Sequence, residues 1–352
     1  MEEKIKFLID KLNNKHSLEQ EEYKYLIESR SEEVADMLRT LAVQARKEIY
    51  GNSVYIRGLI EFSNICKNDC YYCGIRRGNK TCDRYRLTKE EIIETADEGY
   101  NLGFRTFVLQ SGEDSYFTDD ILVNIISSIK QNHPDCAITL SIGERDKESY
   151  KKLFDAGADR FLLRHETADK KHYEKLHPKE MSFEHRVQNL KDLKEIGYQV
   201  GCGFMVGSPY QSPETIAKDL KFIEEFSPKM CGIGPFIPHK ATPFKNHTSG
   251  TAELTCYLLS IIRLIKPNIL LPATTALGTI KEGGREQGIL SGANVVMPNL
   301  SPVAVRKKYD LYDNKICTGE ESAQCRSCLD KRIESIGYKI VIDRGDIKEG
   351  KF

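Results

Sequence analysis

The stretch "VYIRGLIEFSNICKNDCYYCG", residues 54–74, decides how the rest of the chain is read. Its first nine residues form a short, apolar, β-prone run. A doubly wound nucleotide-binding sheet would follow its first strand with a glycine-rich phosphate turn. Here a cysteine loop stands in that place, with Cys66, Cys70 and Cys73 spaced C-x3-C-x2-C.

Seven further β-prone runs follow: "FRTFVLQS" (104–111), "AITLSIG" (137–143), "ADRFLLR" (158–164), "YQVGCGFMVG" (198–207), "KMCGIGPF" (229–236), "NILLPATT" (268–275) and "ANVVMPN" (293–299). Amphipathic segments separate most of them, opened by Ser, Thr or Asp and in several cases closed by Gly. Eight strands alternating with helices predict an α/β fold, a complete (β/α)8 barrel of the TIM type. Residues 1–50 read as helices. Ile5, Leu8, Ile9 and Leu12 share one face, and "SLEQEEYKYLIES" from Ser17 opens on a capping-box pattern. The expected organisation is an N-terminal helical segment (1–50), the barrel (51–300), and a C-terminal segment (301–352) packed on it.

Composition narrows the partners. Lys+Arg and Asp+Glu both total 52 in 352 residues, so the formal charge is zero and argues for neither nucleic acid nor an anionic membrane. The amino terminus lacks the apolar core of a signal peptide, and the longest apolar stretch, near "CYLLSIIRLI", is too short to span a bilayer. A soluble, cytoplasmic, monomeric protein is expected. In that compartment its 11 cysteines read as reduced thiols, some of them metal ligands.

In such barrels chemistry sits at the carboxyl ends of the strands. The cysteine loop follows the first strand. Ser111, Glu113 and Asp114 follow the second, Ser141 and Glu144 the third, and Arg164, His165 and Glu166 the fourth. A structural zinc site wants four ligands, and the nearest fourth thiol, Cys82, lies nine residues beyond Cys73. A cubane iron–sulfur cluster takes one thiolate per iron, so three thiolates leave one iron open to a substrate or cosubstrate. Arg76, Arg77, Lys80, Arg84 and Arg86 are placed to offset the cluster's negative charge.

The loop "CKNDCYYC" resembles the C-x3-C-x-aromatic-C signature of radical S-adenosylmethionine (SAM) enzymes, with Tyr72 as the aromatic. That resemblance implies a [4Fe-4S] cluster on Cys66, Cys70 and Cys73. Its open iron is chelated by the amino and carboxylate groups of SAM, and reduction releases a 5'-deoxyadenosyl radical. Together with "LQSGED", "TLSIGE", "RFLLRHETA", "MVGSP", "CGIGPFIPH", "PATTALGT" and "GANVVMPN", the chain is similar to the HydE family of [FeFe]-hydrogenase maturases, relatives of biotin synthase and methylornithine synthase. The family implies action on an iron carbonyl cyanide or cysteine-derived small molecule, other hydrogenase maturases as partners, and an electron donor such as ferredoxin or flavodoxin.

Residue by residue, the resemblance implies Glu166 as ligand of the SAM amino group and Arg186 as carboxylate partner. A guanidinium fork suits that second role, although an Arg on a helix is commonly a solvated charge. Gly112 would allow close backbone approach along the methionine amine, and Ser111 a hydrogen bond. Thr139, Ser141 and Glu144 are candidates for nucleoside or substrate contacts. Arg164, Thr274, Thr275, Met297 and Tyr309 match cavity positions, although "PATT" also reads as strand-end turn chemistry. His165 is read as a proton donor, a substrate ligand or a hydrogen-bonded part of the scaffold. Cys317, Cys325 and Cys328 match an auxiliary [2Fe-2S] or [4Fe-4S] site present in some members; an adventitious metal site is the alternative. Biotin synthase places sulfur-cluster cysteines where Ala137 and Gly201 stand here, and Cys136 and Cys202 are each displaced by one residue, onto the opposite strand face. The alternatives are a methylornithine synthase-like enzyme, a biotin synthase-like one, which that displacement counts against, and a non-catalytic iron–sulfur or zinc carrier.

Overall fold

The computed structural model describes residues 2–316, 318 and 326–349. Three helices, α1 (Glu2–Lys15), α2 (Gln20–Glu28) and α3 (Glu32–Tyr50), precede the first strand. The predicted face of α1 is buried through Ile5, Leu8, Ile9 and Leu12. Ser17 does not cap α2; its hydroxyl donates to Glu224 at 2.8 Å, and Glu19 takes the cap position, its N–H donating to Glu22 at 2.8 Å.

The chain then runs β1 (Ser53–Ile56), β2 (Gly58–Ser63), α4 (Lys89–Asn101), β3 (Thr106–Ser111), α5 (Asp119–Asn132), β4 (Ala137–Ser141), α6 (Lys147–Asp155) and β5 (Arg160–Leu162). It continues through α7 (Lys170–Leu176), α8 (Phe183–Ile196), β6 (Gln199–Cys202), β7 (Met205–Val206), α9 (Pro213–Phe226), β8 (Met230–Cys231), β9 (Gly234–Pro235) and α10 (Ala252–Ile265). Last come α11 (Thr275–Ile280), α12 (Gly284–Ile289), β10 (Val295–Val296), α13 (Val303–Arg306), α14 (Arg326–Ser335) and β11 (Lys339–Val341). Local chemistry sets many of these boundaries. Thr88 Oγ1 accepts the Glu91 N–H while the Glu91 carboxylate accepts the Thr88 N–H, a reciprocal cap worth about 1 kcal/mol. Thr118, Asp146, Ser182, Ser212 and Thr251 cap α5, α6, α8, α9 and α10 in the positions their sequence predicts.

Six strands form one parallel sheet in the order β2-β3-β4-β5-β6-β8, and every residue of β2 is buried, as a strand covered on both faces requires. Helices lie between successive strands, the α/β alternation that the sequence predicts. The eight β-prone runs do not all form unbroken strands. The first predicted strand divides at Arg57 into β1 and β2, which belong to different sheets. The fifth divides at Gly203, whose φ of +151° breaks the ladder between β6 and β7. The seventh contributes only the single bridges Met230↔Leu270 and Pro272↔Val295, and Leu59↔Asn299 joins β2 to the segment after β10.

The C-terminal segment holds a strand that the sequence reading does not contain. β11 pairs in parallel with β1, Ser53 opposite Lys339 and Tyr55 opposite Val341, in the sheet β10-β1-β11. Cys317 and Cys325 lie outside the described residues; Cys328 is exposed on the first turn of α14. Among the described residues no helix is long and apolar enough to cross a membrane.

Candidate functional site

The loop after β2 is held from several sides. Lys67 N donates to Glu113 O at 3.0 Å, Gly112 N to Ser63 O at 3.1 Å, and Glu113 N points to Cys66 Sγ at 3.4 Å, so the "SGED" turn lies along the loop. A Cβ on Gly112 would stand 2.3 Å from Ile65 O and 2.7 Å from Cys66 Cβ, a gap only glycine fills without displacement. Asp114 is committed to the scaffold: it accepts from Ser63 at 2.7 Å and takes two hydrogen bonds from Arg86, at 2.7 and 2.8 Å. Gly74 packs on His239, whose Nε2 lies 3.1 Å from Asp310 and 3.9 Å from Asp313. The Ala241 N–H occupies His239 Nδ1 at 3.0 Å, so Nε2 carries the proton. That assignment makes His239–Asp310 a hydrogen-bonded clamp, not a metal site.

Cys66, Cys70 and Cys73 are free and partly buried, and all three open onto a cavity of about 360 Å³. Burial, reinforced by the neighbouring thiols, pushes Cys70 well up and Cys73 to about 12. Cys66 is raised too, by burial first. Thiols so placed give up their protons when metal binds, because the metal's charge stabilises the thiolates. Tyr72 donates to His177 Nε2 at 3.1 Å, and His177 Nδ1 in turn donates to Tyr173 O at 2.9 Å. Burial lowers His177 to about 3, which keeps its Nε2 an acceptor. Cys82 is not among the residues lining the cavity; it receives a long contact from Asn64 Nδ2 at 3.5 Å.

The same cavity collects Ser111 from the end of β3 and Gly112 just beyond it, Thr139 and Ser141 from β4, Arg164 and Glu166 after β5, and Arg186 from α8. Thr274, Thr275, Met297 and Tyr309 complete its other side. Glu166 adopts φ +64°, a left-handed conformation that costs a side-chain-bearing residue about 1–2 kcal/mol and is kept only where the surroundings impose it. Its carboxylate lies 3.0 Å from Arg164 Nη2, without the alignment of a hydrogen bond. Thr139 Oγ1, Thr274 Oγ1, Glu166 Oε2 and Arg57 Nε and Nη2 are buried without a hydrogen-bond partner. Orphaned polar atoms around one cavity are what a polar ligand would satisfy.

Three predicted roles are altered by the geometry. His165 does not line the cavity: it is fully buried on the opposite side of its segment, 4.6 Å from the Phe222 ring centroid and 3.3 Å from Asp219. Glu144 faces a second, polar cavity of about 550 Å³, where it binds His185 at 2.7 Å and the Nε of Arg186. Arg186 also donates from Nη1 to Arg164 O at 2.8 Å, so two of its five N–H groups are already engaged within the protein. The sequence reading missed Arg57, Glu61, Gln110 and Lys315 in the cavity wall. Arg57 and Glu61 had a signal, being charges inside an apolar strand; Gln110 and Lys315 had none.

The Radical SAM superfamily model matches residues 60–223, the cysteine loop and the sheet behind it. The [FeFe] hydrogenase maturase subunit HydE of Thermotoga maritima is 46% identical over 313 residues, 89% of each chain. This chain belongs to the HydE family of radical SAM enzymes. A HydE-family chain also has more distant kin: 3-methylornithine synthase of Methanosarcina acetivorans is 30% identical over 94% of this chain and 92% of that one. The crystal structure of methylornithine synthase (PylB) superposes with a TM-score of 0.80 at 26% identity, covering 95% of this chain and 97% of the other. For this HydE-family protein, membership assigns a [4Fe-4S] cluster and SAM. The residues present fit both: three thiols at one wall, a buried carboxylate and guanidinium at another, and unpartnered hydroxyls between them.

Proposed function

We propose that this protein is a HydE-type maturase that assembles the organometallic di-iron centre of [FeFe]-hydrogenase, acting on a cysteine-derived or iron carbonyl cyanide small molecule. The observation that carries this reading is the 46% identity to the Thermotoga HydE across 89% of the chain. The chemistry that a bound cluster supplies is one-electron cleavage of the SAM sulfonium to methionine and a 5'-deoxyadenosyl radical.

The chain's own contribution is placement. Cys66, Cys70 and Cys73 hold the cluster at the cavity wall, and Tyr72, fixed by His177, backs the loop. Glu166 receives the SAM amine, Arg186 Nη2 the carboxylate, and Gly112 with Ser111 lines the methionine backbone. Thr139, Ser141, Arg164, Thr274, Thr275, Met297 and Tyr309 surround the substrate and keep water from the radical. Glu144 holds Arg186. We read residues 51–300 as a closed eight-strand barrel, which the single bridges at Leu59, Leu270 and Pro272 support, with 1–50 and 301–352 packed on it. A cytoplasmic location suits the free thiols. A ferredoxin or flavodoxin as reductant, the other maturases as partners, and an auxiliary cluster on Cys317, Cys325 and Cys328 complete the reading.

Methylornithine synthesis is the second reading, favoured by the 0.80 superposition on PylB. A plain metal carrier would have no use for a 360 Å³ cavity ringed with unpartnered polar atoms. Anaerobic reconstitution separates the three. Reduction with SAM should yield 5'-deoxyadenosine, and a cysteine-bound iron carbonyl cyanide complex should speed SAM consumption where lysine does not. No 5'-deoxyadenosine with the loop intact leaves the carrier; stimulation by lysine alone leaves the synthase.

A further inference from the structure

Glu166 is held in its left-handed conformation by hydrogen bonds on both sides, and their source lies outside the cavity. Its own N–H donates to Gly203 O at 3.0 Å, and the N–H of the same glycine donates to His165 Nδ1 at 3.3 Å. Gly203 has no substitute there: at φ +151° an added Cβ would stand 2.0 Å from Gly232 O. Since His165 Nδ1 accepts, its proton sits on Nε2, which lies 3.3 Å from Asp219 Oδ1 without the alignment of a hydrogen bond. The same oxygen accepts the Ala168 N–H at 2.5 Å. Residues 165 and 166 are therefore tied to Gly203 and residue 168 to Asp219, which projects from the middle of α9 and also packs against the His165 ring. Both side chains are fully buried and neither lines the cavity. Of the titratable groups beside this segment, His172 is satisfied by Thr167 at 3.1 Å and Pro209 O at 2.9 Å, and Asp169 is paired with Lys218 at 2.8 Å.

We infer that His165 and Asp219 are positioning residues for Glu166: they set its backbone so that the carboxylate faces into the cavity, and SAM affinity depends on them although neither touches SAM. The inference rests on Glu166 being the SAM amine ligand. Asp219 acts as an acceptor, so its oxygen matters and its charge does not; an amide oxygen at the same place serves the Ala168 N–H equally.

The test uses the full chain with its cluster reconstituted, SAM as the probe, and two readouts: the dissociation constant for SAM and the change that SAM makes in the electron paramagnetic resonance spectrum of the reduced cluster. Asp219→Ala should raise the dissociation constant at least about tenfold while iron content and the SAM-free spectrum stay as in the wild type. Asp219→Asn should restore affinity to within about threefold. In a Glu166→Gln background, Asp219→Ala should add less than about twofold, since the group it positions is already altered. If Asp219→Ala fails to accumulate folded protein, His165→Phe keeps the ring volume, removes the acceptor for Gly203 N–H, and should give the same tenfold loss. Affinity within twofold of wild type in the variant that folds overturns the inference, as does a full tenfold loss on top of Glu166→Gln. Should Glu166→Gln itself leave SAM binding unchanged, the assignment of Glu166 is what fails, and the inference with it.

Discussion

The Nε of Arg186 donates to Oε1 of Glu144, so the guanidinium is oriented before any ligand reaches it. Arg164 O holds one N–H of Nη1 as well, so the guanidinium donors that remain free have a preset direction. Arg186→Lys, which cannot keep three such contacts, should weaken SAM binding at least about tenfold. Glu144→Ala removes the orienting carboxylate from a mostly buried pair and should also destabilise the fold by about 2 kcal/mol, read from urea titration. A stability unchanged in Glu144→Ala would mean that water replaces the carboxylate.

The three loop thiols act as a set. Replacement of Cys66, Cys70 or Cys73 by Ala should each abolish 5'-deoxyadenosine formation and remove the cluster's visible absorption. Cys82→Ser should leave both intact, because Cys82 lies off the cavity. Loss of cluster in Cys82→Ser would move that thiol into the site.

Lys315 and Glu61 form a buried pair at 2.6 Å in the cavity wall, and Lys315 also reaches Tyr309 O at 2.9 Å. Lys315→Met strands the Glu61 charge with Asn299, at 2.8 Å, as its remaining side-chain donor among the described residues, and should cost about 3 kcal/mol. Adding Glu61→Gln should recover part of that loss. Strictly additive effects of the two substitutions would show that the pair is not coupled.

Acid stability should report on the opposite end of the sheet. Burial alone would raise the Asp346 carboxyl, but Arg160, with hydrogen bonds from Arg344 and Gln199, holds it at about 2, below its usual 3.8. A carboxyl depressed in the folded state contributes stability above its unfolded value, and that contribution is lost as the pH falls from about 4 towards 2. Because the side chain is 39% exposed, solvent screening discounts the effect to about 1 kcal/mol. Asp346→Asn should flatten the unfolding free energy over that pH range. An acid limb identical to wild type would rule out this carboxylate as a source.

The sequence by itself determined what depends on neighbours along the chain. The C-x3-C-x2-C spacing, the alternation of strands with amphipathic helices, and the caps at Thr88, Thr118, Asp146, Ser182, Ser212 and Thr251 are short-range chemistry, legible one segment at a time. Only the tertiary structure decided which way adjacent side chains face. Arg164, His165 and Glu166 follow one another after β5, yet the outer two line the cavity and the middle one turns toward α9, because the chain leaves the regular strand there and Glu166 takes a left-handed backbone that no strand periodicity predicts. The same limit hid the pairing of Arg186 with Glu144 across 42 residues, and the addition of β11 to β1 nearly 300 residues away. Such contacts are set by which surfaces the packed core brings together, and no local pattern encodes them.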